Sequence, residues 1–194
     1  MPDVSSKRPD SGLSRREFVA AAVTALLAGG APFASTRAAT DPTPEKRWIE
    51  LRNLHTQEVL RATFQDSQGF VADALARLQH LLRDYRTGEE HPMDPGLYVQ
   101  LSDLARAAGV EPRYEVISGY RSPATNAKLH SGGHGVAEHS LHMQGRALDV
   151  RLRDYDLAAL RALALAAKRG GVGFYPHSNF LHIDTGRVRQ WEGG

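Results

Sequence analysis

The sequence contains no cysteine among its 194 residues. It can therefore form no disulfide bond, offer no thiolate ligand to a metal ion and use no cysteine nucleophile. The HExxH motif, which places two metal-binding histidines on one face of a helix, is absent as well. Any metal site in this chain must consequently be built from separate histidine and carboxylate side chains.

The chain also lacks a strong excess of charge of either sign, with 24 basic and 22 acidic residues. Residues 1–39 contain five of the basic and three of the acidic residues, so the remainder holds 19 of each. A neutral remainder gives no electrostatic reason to expect nucleic acid as a partner. All nine histidines lie after residue 39, which directs attention to metal binding or acid–base chemistry.

A long apolar run is likewise missing, except near the N-terminus. Arg15-Arg16 precedes an uncharged segment, 19–35, which is rich in alanine and leucine and is followed by small residues at Ala38 and Ala39. This layout is typical of a twin-arginine (Tat) export signal. A retained membrane anchor is the alternative, but about 17 residues interrupted by glycine and proline are at the short limit of a membrane span.

We therefore expect three parts, namely a Tat-type signal peptide over 1–39, a linker over 40–47 and one folded domain over 48–194. Export by this route would place the mature protein in the periplasm, with no membrane span of its own.

Hydrophobic periodicity predicts a mixture of helices and strands in this domain. Apolar residues at helical spacing predict three helices, at 71–85, 96–108 and 157–168. Alternating patterns and short apolar runs predict six strands, at 48–52, 57–64, 114–117, 146–152, 172–175 and 180–184.

The segment 126–138 is rich in glycine and poor in large apolar residues. We expect a mobile surface loop here, after a single helical turn. His130, His134 and, just beyond, His139 lack a carboxylate at useful spacing, so we interpret them as polar loop residues or substrate contacts rather than as metal ligands.

Two of the predicted strands carry side chains that could bind a metal ion. Strand alternation places Asp149 in the middle of one strand, and His182 on the same side as Asp184 in another. His142 enters the first strand through a bend at Gly145. Two imidazoles and one carboxylate are typical ligands of a catalytic zinc ion with one open position, although such a spacing also arises by chance.

Three motifs, Ser118-Gly-Tyr-Arg-Ser-Pro123, Ser140-x-His-x-x-Gly-x-Ala-x-Asp149 and the Gly170–Gly186 segment, occur in this order. Together they resemble the zinc murein peptidases of the D-Ala-D-Ala carboxypeptidase group, and more narrowly its exported murein endopeptidase branch. The resemblance implies an α+β fold, with helices packed on a small antiparallel sheet, shared with the hedgehog signalling domain. It also implies peptidoglycan as substrate, and Zn²⁺ bound by His142, Asp149 and His182.

The same resemblance implies that Arg121 binds or polarises the substrate carbonyl. Members of the group also place an acid three residues, or a histidine two residues, before the last zinc-binding histidine to activate water. Here those positions are Asn179 and Phe180, neither of which can accept the proton. His177 and Asp184 are the nearest titratable candidates, and His139 in the loop is a third.

The sequence thus favours a zinc peptidase that hydrolyses stem-peptide or cross-link bonds of peptidoglycan. A catalytically silent peptidoglycan-binding module with a structural zinc ion is the alternative, and the missing base supports it. Asp184 has a second predicted role, in which it holds the imidazole of a metal ligand in place. The sequence leaves open which bond is cleaved.

Overall fold

The computed structural model describes residues 46–132 and 137–193. The predicted signal peptide, most of the predicted linker and His134 lie outside these residues. The first half of the domain contains strands β1 (Arg47–Asn53), β2 (Val59–Asp66) and β3 (Gly69–Phe70), helices α1 (Ala72–Leu81) and α2 (Pro95–Ala107), and strand β4 (Arg113–Ser118). The second half contains helix α3 (Pro123–Ser131), a 3₁₀ turn (Leu141–Gln144), strand β5 (Ala147–Leu152), helix α4 (Leu157–Ala167) and strands β6 (Gly171–Tyr175), β7 (Phe180–Asp184) and β8 (Arg189–Glu192).

The α+β class is confirmed, but a small antiparallel sheet is wrong. Within the described residues one sheet has eight strands in the order β3-β2-β1-β4-β5-β7-β6-β8. Two pairs are parallel, β1 with β4 and β6 with β8. Parallel neighbours need a long crossover, which β2, α1 and α2 provide for the first pair. Periodicity identifies strands, but it does not say which strands become neighbours.

The bounds of the helices were predicted more accurately than the pairing of the strands. Helix α1 starts one residue later than expected and ends at Leu81 instead of residue 85, whereas α2 and α4 lie within one residue of their predicted ends. From residue 126 the sequence predicted a single helical turn followed by a loop. Up to Ser131 this prediction is wrong, because these residues belong to the nine-residue helix α3. Its start has two helix-initiating features, Pro123 in the first turn and the Ser122 hydroxyl accepting from the Thr125 amide.

The core lies on the side of the sheet that the helices cover. Alternation along β5 and β7 turns Leu148, Val150, Leu181 and Ile183 towards this core, where all four are 0% exposed. The intervening residues of both strands face the opposite side of the sheet. The sheet therefore separates an apolar core from a second face that carries polar side chains.

Among the described residues, no helix combines the length and the apolar character needed to cross a membrane.

Gly145 follows the 3₁₀ turn and packs against the loop before α2. Its φ of 65° lies in the left-handed region, and a Cβ built on it would lie 2.0 Å from the Pro92 carbonyl oxygen. Its own carbonyl accepts a hydrogen bond from the Asp94 amide at 2.8 Å. A side chain at this position would disturb both segments.

We predict that Gly145→Ala lowers the free energy of unfolding by about 3 kcal/mol, because backbone strain and the clash with Pro92 add. Gly109→Ala is the matched control, since Gly109 also has positive φ but a Cβ added to it would meet no atom within 4 Å. This control should lose only about 1 kcal/mol. Urea unfolding measures both, and equal losses would contradict the role assigned to the Pro92 contact.

Candidate metal centre and cleft

Three potential metal ligands converge on the polar face of the sheet. Asp149 of β5 and His182 of β7 lie directly opposite each other in the antiparallel register. The 3₁₀ turn before β5 brings His142 to the same point, and all three side chains are buried. These are the three residues that the sequence pattern singled out as ligands.

The ligand atoms are close enough to share one ion. His142 Nε2 lies 3.2 Å from Asp149 Oδ1 and 3.2 Å from His182 Nδ1, and the last two atoms are 2.9 Å apart. A metal ion bound tetrahedrally at about 2.0–2.1 Å separates its ligands by about 3.3–3.4 Å. The spacing therefore fits a metal ion after a small outward adjustment of the three side chains.

Hydrogen bonds behind the two rings fix which nitrogen of each ring faces the centre. His142 Nδ1 donates to the Gly119 carbonyl at 2.8 Å, and His182 Nε2 donates to Asp184 Oδ2 at 3.0 Å. In the neutral rings the lone pairs of His142 Nε2 and His182 Nδ1 then point at each other and at the Asp149 oxygen. Three acceptors facing one another in a buried site are a stable arrangement when a cation lies between them.

The surroundings of Asp149 and His142 favour the protonation states that a metal ion requires. Burial acts to raise the pKa of Asp149, but the neighbouring His142 and His182 outweigh it and hold this pKa well below its usual range. Burial lowers the pKa of His142, which favours the neutral ring that a metal requires. For His182, burial is outweighed by the bonds to Asp149 and Asp184, which raise its pKa to about 8 in the metal-free protein.

Asp184 is a fully buried carboxylate with five hydrogen bonds. Besides His182, it accepts bonds from the amides of Gly171 (2.9 Å) and Gly186 (2.8 Å) and two from the Arg189 guanidinium (3.1 and 2.6 Å). Although burial opposes its charge, these bonds keep its pKa well below the usual range. Such a group orients the ring of His182, whereas it is poorly suited to take a proton from water.

Arg121 lies beside the three candidate metal ligands, at the turn after β4. Its Nη2 is 3.8 Å from Asp149 Oδ2, and its side chain is 10% exposed. Contacts at 3.5 Å with the side chains of Asn126 and Ser118 support the guanidinium from behind. The structure thus brings Arg121 to the three ligands, as expected from the sequence.

A buried carboxylate that the sequence pattern did not single out holds this turn. Asp84 Oδ2 accepts bonds from the Ser122 amide (2.9 Å) and hydroxyl (2.7 Å), and the Tyr120 amide donates to the Leu82 carbonyl (2.8 Å). The loop after α1 therefore anchors the residues on both sides of Arg121. Asp84 lies beyond the end of α1 and carries no periodic signal in the sequence.

A cleft of about 350 Å³ opens over the three candidate metal ligands. One wall carries the aromatic residues Tyr175, Phe180 and Trp191, and Arg121 lies at the cleft as well. The sequence predicts a strand position for Tyr175 and places Phe180 where members of the group carry a base, but it does not place either in a cleft wall. Trp191 belongs to β8, a four-residue strand that periodicity did not reveal. A strand this short has too few alternations to be recognised.

The remaining candidate residues from the sequence differ in whether they line the cleft. His139 lines the cleft, and it is exposed. His177 lies in the exposed turn between β6 and β7 and is not among the cleft-lining residues. Of the described residues in the predicted loop 126–138, only Ala137 lines the cleft, while Asn126 contacts Arg121 from α3.

Comparison with known proteins extends these observations. A family described as "Peptidoglycan L,D-endopeptidase MepK" matches residues 41–191. The chain is 42% identical over 178 residues to the peptidoglycan L,D-endopeptidase MepK of Escherichia coli K12, covering 92% of this chain and 97% of that protein. It is 41% identical over 152 residues to the probable peptidoglycan L,D-endopeptidase MepK of Haemophilus influenzae, covering 78% of this chain and 82% of that protein.

Metal affinity should depend on pH through His182. Its pKa of about 8 means that the metal-free ring carries a proton at neutral pH, and an entering metal ion must displace that proton. With Zn²⁺ as the probe, we predict that affinity rises about tenfold per pH unit up to about pH 8 and then levels off. Competition with a chelating dye, corrected for the protonation of the dye, measures this.

The contribution of His182 to the stability of the metal-free protein should change in the opposite direction. Because the folded pKa of His182 lies above its unfolded value of about 6.5, this proton stabilises the fold below about pH 6.5, and the contribution is lost as pH rises through about 8. Both predictions depend on the raised pKa of His182. A metal affinity that does not change between about pH 6 and 8 would contradict that raised pKa.

Proposed function

This chain belongs to the peptidoglycan L,D-endopeptidase MepK family, and we propose that it is a zinc-dependent endopeptidase that hydrolyses L,D bonds in peptidoglycan peptides. It is a peptidase that acts on peptidoglycan, as its 42% identity to a MepK protein over 92% of the chain indicates. The proposal adds the metal, the type of bond and the roles of individual side chains.

One observation carries the proposal, which is that His142, Asp149 and His182 meet at the floor of an open cleft. Two imidazoles and a carboxylate suit zinc, and three protein ligands leave a position for water. Bound there, zinc would make that water acidic and polarise the scissile carbonyl.

The side chains around this centre have separable tasks. The charge of Arg121 beside Asp149 is suited to binding the scissile carbonyl oxygen and stabilising the negative charge that develops on it. Asp184 keeps the ring of His182 in the orientation that exposes Nδ1. Neither Asp184, whose oxygens are fully bonded, nor His177, outside the cleft, is suited to proton transfer from the attacking water.

We assign proton transfer to His139. Of the three candidate bases from the sequence, it is the one that lines the cleft and makes no hydrogen bond within the described residues. A histidine suits this task because a ring nitrogen with a free lone pair can accept a proton.

The number of ligands favours the enzyme over a silent binding module. A structural zinc site usually has four protein ligands, whereas three histidine or carboxylate groups come together among the residues at 46–132 and 137–193. Those three also face a cleft of about 350 Å³, which a purely structural site does not require.

Location and domain organisation complete the proposal. We infer that residues 1–39 form a Tat-type signal, that 40–47 form a linker and that the mature domain acts in the periplasm. The start of the family match at residue 41 and the twin arginines at 15 and 16 support this organisation. Family membership also supports a hedgehog/DD-peptidase-like fold for residues 48–194.

The direct test uses purified residues 40–194, loaded with zinc and incubated with peptidoglycan sacculi. We predict soluble muropeptides whose masses show cleavage at L,D bonds, and we predict that His142→Ala reduces their release at least about 10³-fold. His80→Ala is a matched control, since His80 is exposed and paired with Glu90 away from the cleft. Release of D,D products alone would contradict the bond assignment, and full activity of His142→Ala or in excess chelator would contradict the zinc mechanism.

A further inference from the structure

Tyr175 presents a phenol to the cleft from the end of β6. Its ring stacks on Phe180 of the paired strand, with centroids 4.5 Å apart and planes at 15°. On another side the chain passes so closely at Gly193 that a Cβ there would lie 2.2 Å from the ring. The ring is therefore held by its neighbours, and its hydroxyl has a fixed position.

The hydrogen bond at this hydroxyl has only one possible direction. Trp191 Nε1 lies 3.0 Å from the Tyr175 oxygen, and an indole N–H can donate but cannot accept. The phenol therefore accepts this bond and keeps its own hydrogen for another partner. Across 46–132 and 137–193, no side chain or carbonyl accepts that hydrogen, which leaves it available to a ligand in the cleft.

The indole also ties the phenol to the metal centre. Its ring lies against the ring of His182, with centroids 5.0 Å apart at 53°. The absence of a side chain at Gly173 makes this position possible, because a Cβ there would lie 2.6 Å from the indole. One side chain thus contacts a metal ligand and donates to the phenol, so the phenol has a defined place relative to the ligands.

Arg121 shares the cleft with this phenol. Both side chains line the cleft, and Arg121 Nη2 lies 3.8 Å from Asp149 Oδ2, so both groups face a ligand bound there. A carbonyl oxygen that develops negative charge in the cleft could accept bonds from both groups. One donor would be charged and the other neutral.

We propose that Tyr175 is a further catalytic residue, which donates a hydrogen bond to the scissile carbonyl oxygen as it becomes an oxyanion. Trp191 is a positioning residue, because it orients the phenol without touching the reacting atoms. No bond to hydrogen is broken in this step, since the phenol donates in its neutral form. The inference rests on the proposed peptidase function and adds to it a second oxyanion donor.

Tyr175→Phe tests the proposal, because it removes one oxygen and keeps the ring that stacks on Phe180. We expect kcat on a cross-linked muropeptide to fall by about 10²-fold, as on removal of one oxyanion-hole donor, with KM changed less than about threefold. Tyr85→Phe is the matched control, since the Tyr85 ring stacks on His55 and is not among the residues that line the cleft. Its kcat should equal that of the wild type.

Binding provides a readout that does not depend on turnover. A phosphinate analogue of the tetrahedral intermediate should bind Tyr175→Phe more weakly by about the factor lost in kcat. An uncleavable substrate analogue should bind both proteins equally, and bound zinc, measured by atomic absorption, should be unchanged. Should Tyr175→Phe lose zinc, Trp191→Phe is measured instead, and it must reduce kcat and phosphinate affinity while zinc is retained.

Three results would overturn the inference. The first is an unchanged kcat in Tyr175→Phe. The second is a loss of affinity in Tyr175→Phe that is equal for the phosphinate and the substrate analogue. The third, should Trp191→Phe be measured instead, is an unchanged kcat in that variant. Failure of the proposed function looks different, because the wild type itself would then release no muropeptides.

Discussion

The candidate metal centre depends on the hydrogen bonds that compensate the negative charge of the buried Asp184 carboxylate. Its carboxylate is 0% exposed and accepts five hydrogen bonds, from His182, two backbone amides and Arg189. A buried carboxylate without such partners would be strongly destabilising. Through these bonds it joins His182 on β7 to the first residue of β6, to the turn after β7 and to the first residue of β8. The orientation of His182 and the position of the C-terminal strand therefore have a common cause.

The candidate ligands could be named because strand alternation, which is local, positions two of them and because three ordered motifs resemble a zinc peptidase family. Period-two alternation is enough to place Asp149 on one strand face and His182 beside Asp184 on another. The pairing of these strands, the two parallel pairs and the cleft wall depend on contacts between distant segments. Neither Trp191, on a four-residue strand, nor Asp84, in a loop after a helix, carries a periodic signal. They became recognisable only when the fold brought them to the site.

At positions 179 and 180, other members of the group carry the residue that activates water. In this chain both positions have structural roles. Asn179 adopts a left-handed conformation, with φ of 53°, in the turn between β6 and β7, which asparagine tolerates better than most residues. Phe180 stacks on Tyr175 and helps to form the aromatic wall. The residues before His182 thus shape the cleft, and proton transfer falls to a group on a different segment, which we assign to His139.

We propose that His142, Asp149 and His182 are the complete set of protein ligands to zinc. Diffraction from crystals of the zinc-loaded protein, with anomalous data collected at the zinc edge, tests it most directly. We predict one ion about 2.1 Å from His142 Nε2, His182 Nδ1 and an Asp149 oxygen, with water in the fourth position. An ion held by a fourth side chain such as His139, or located away from these three residues, would contradict it.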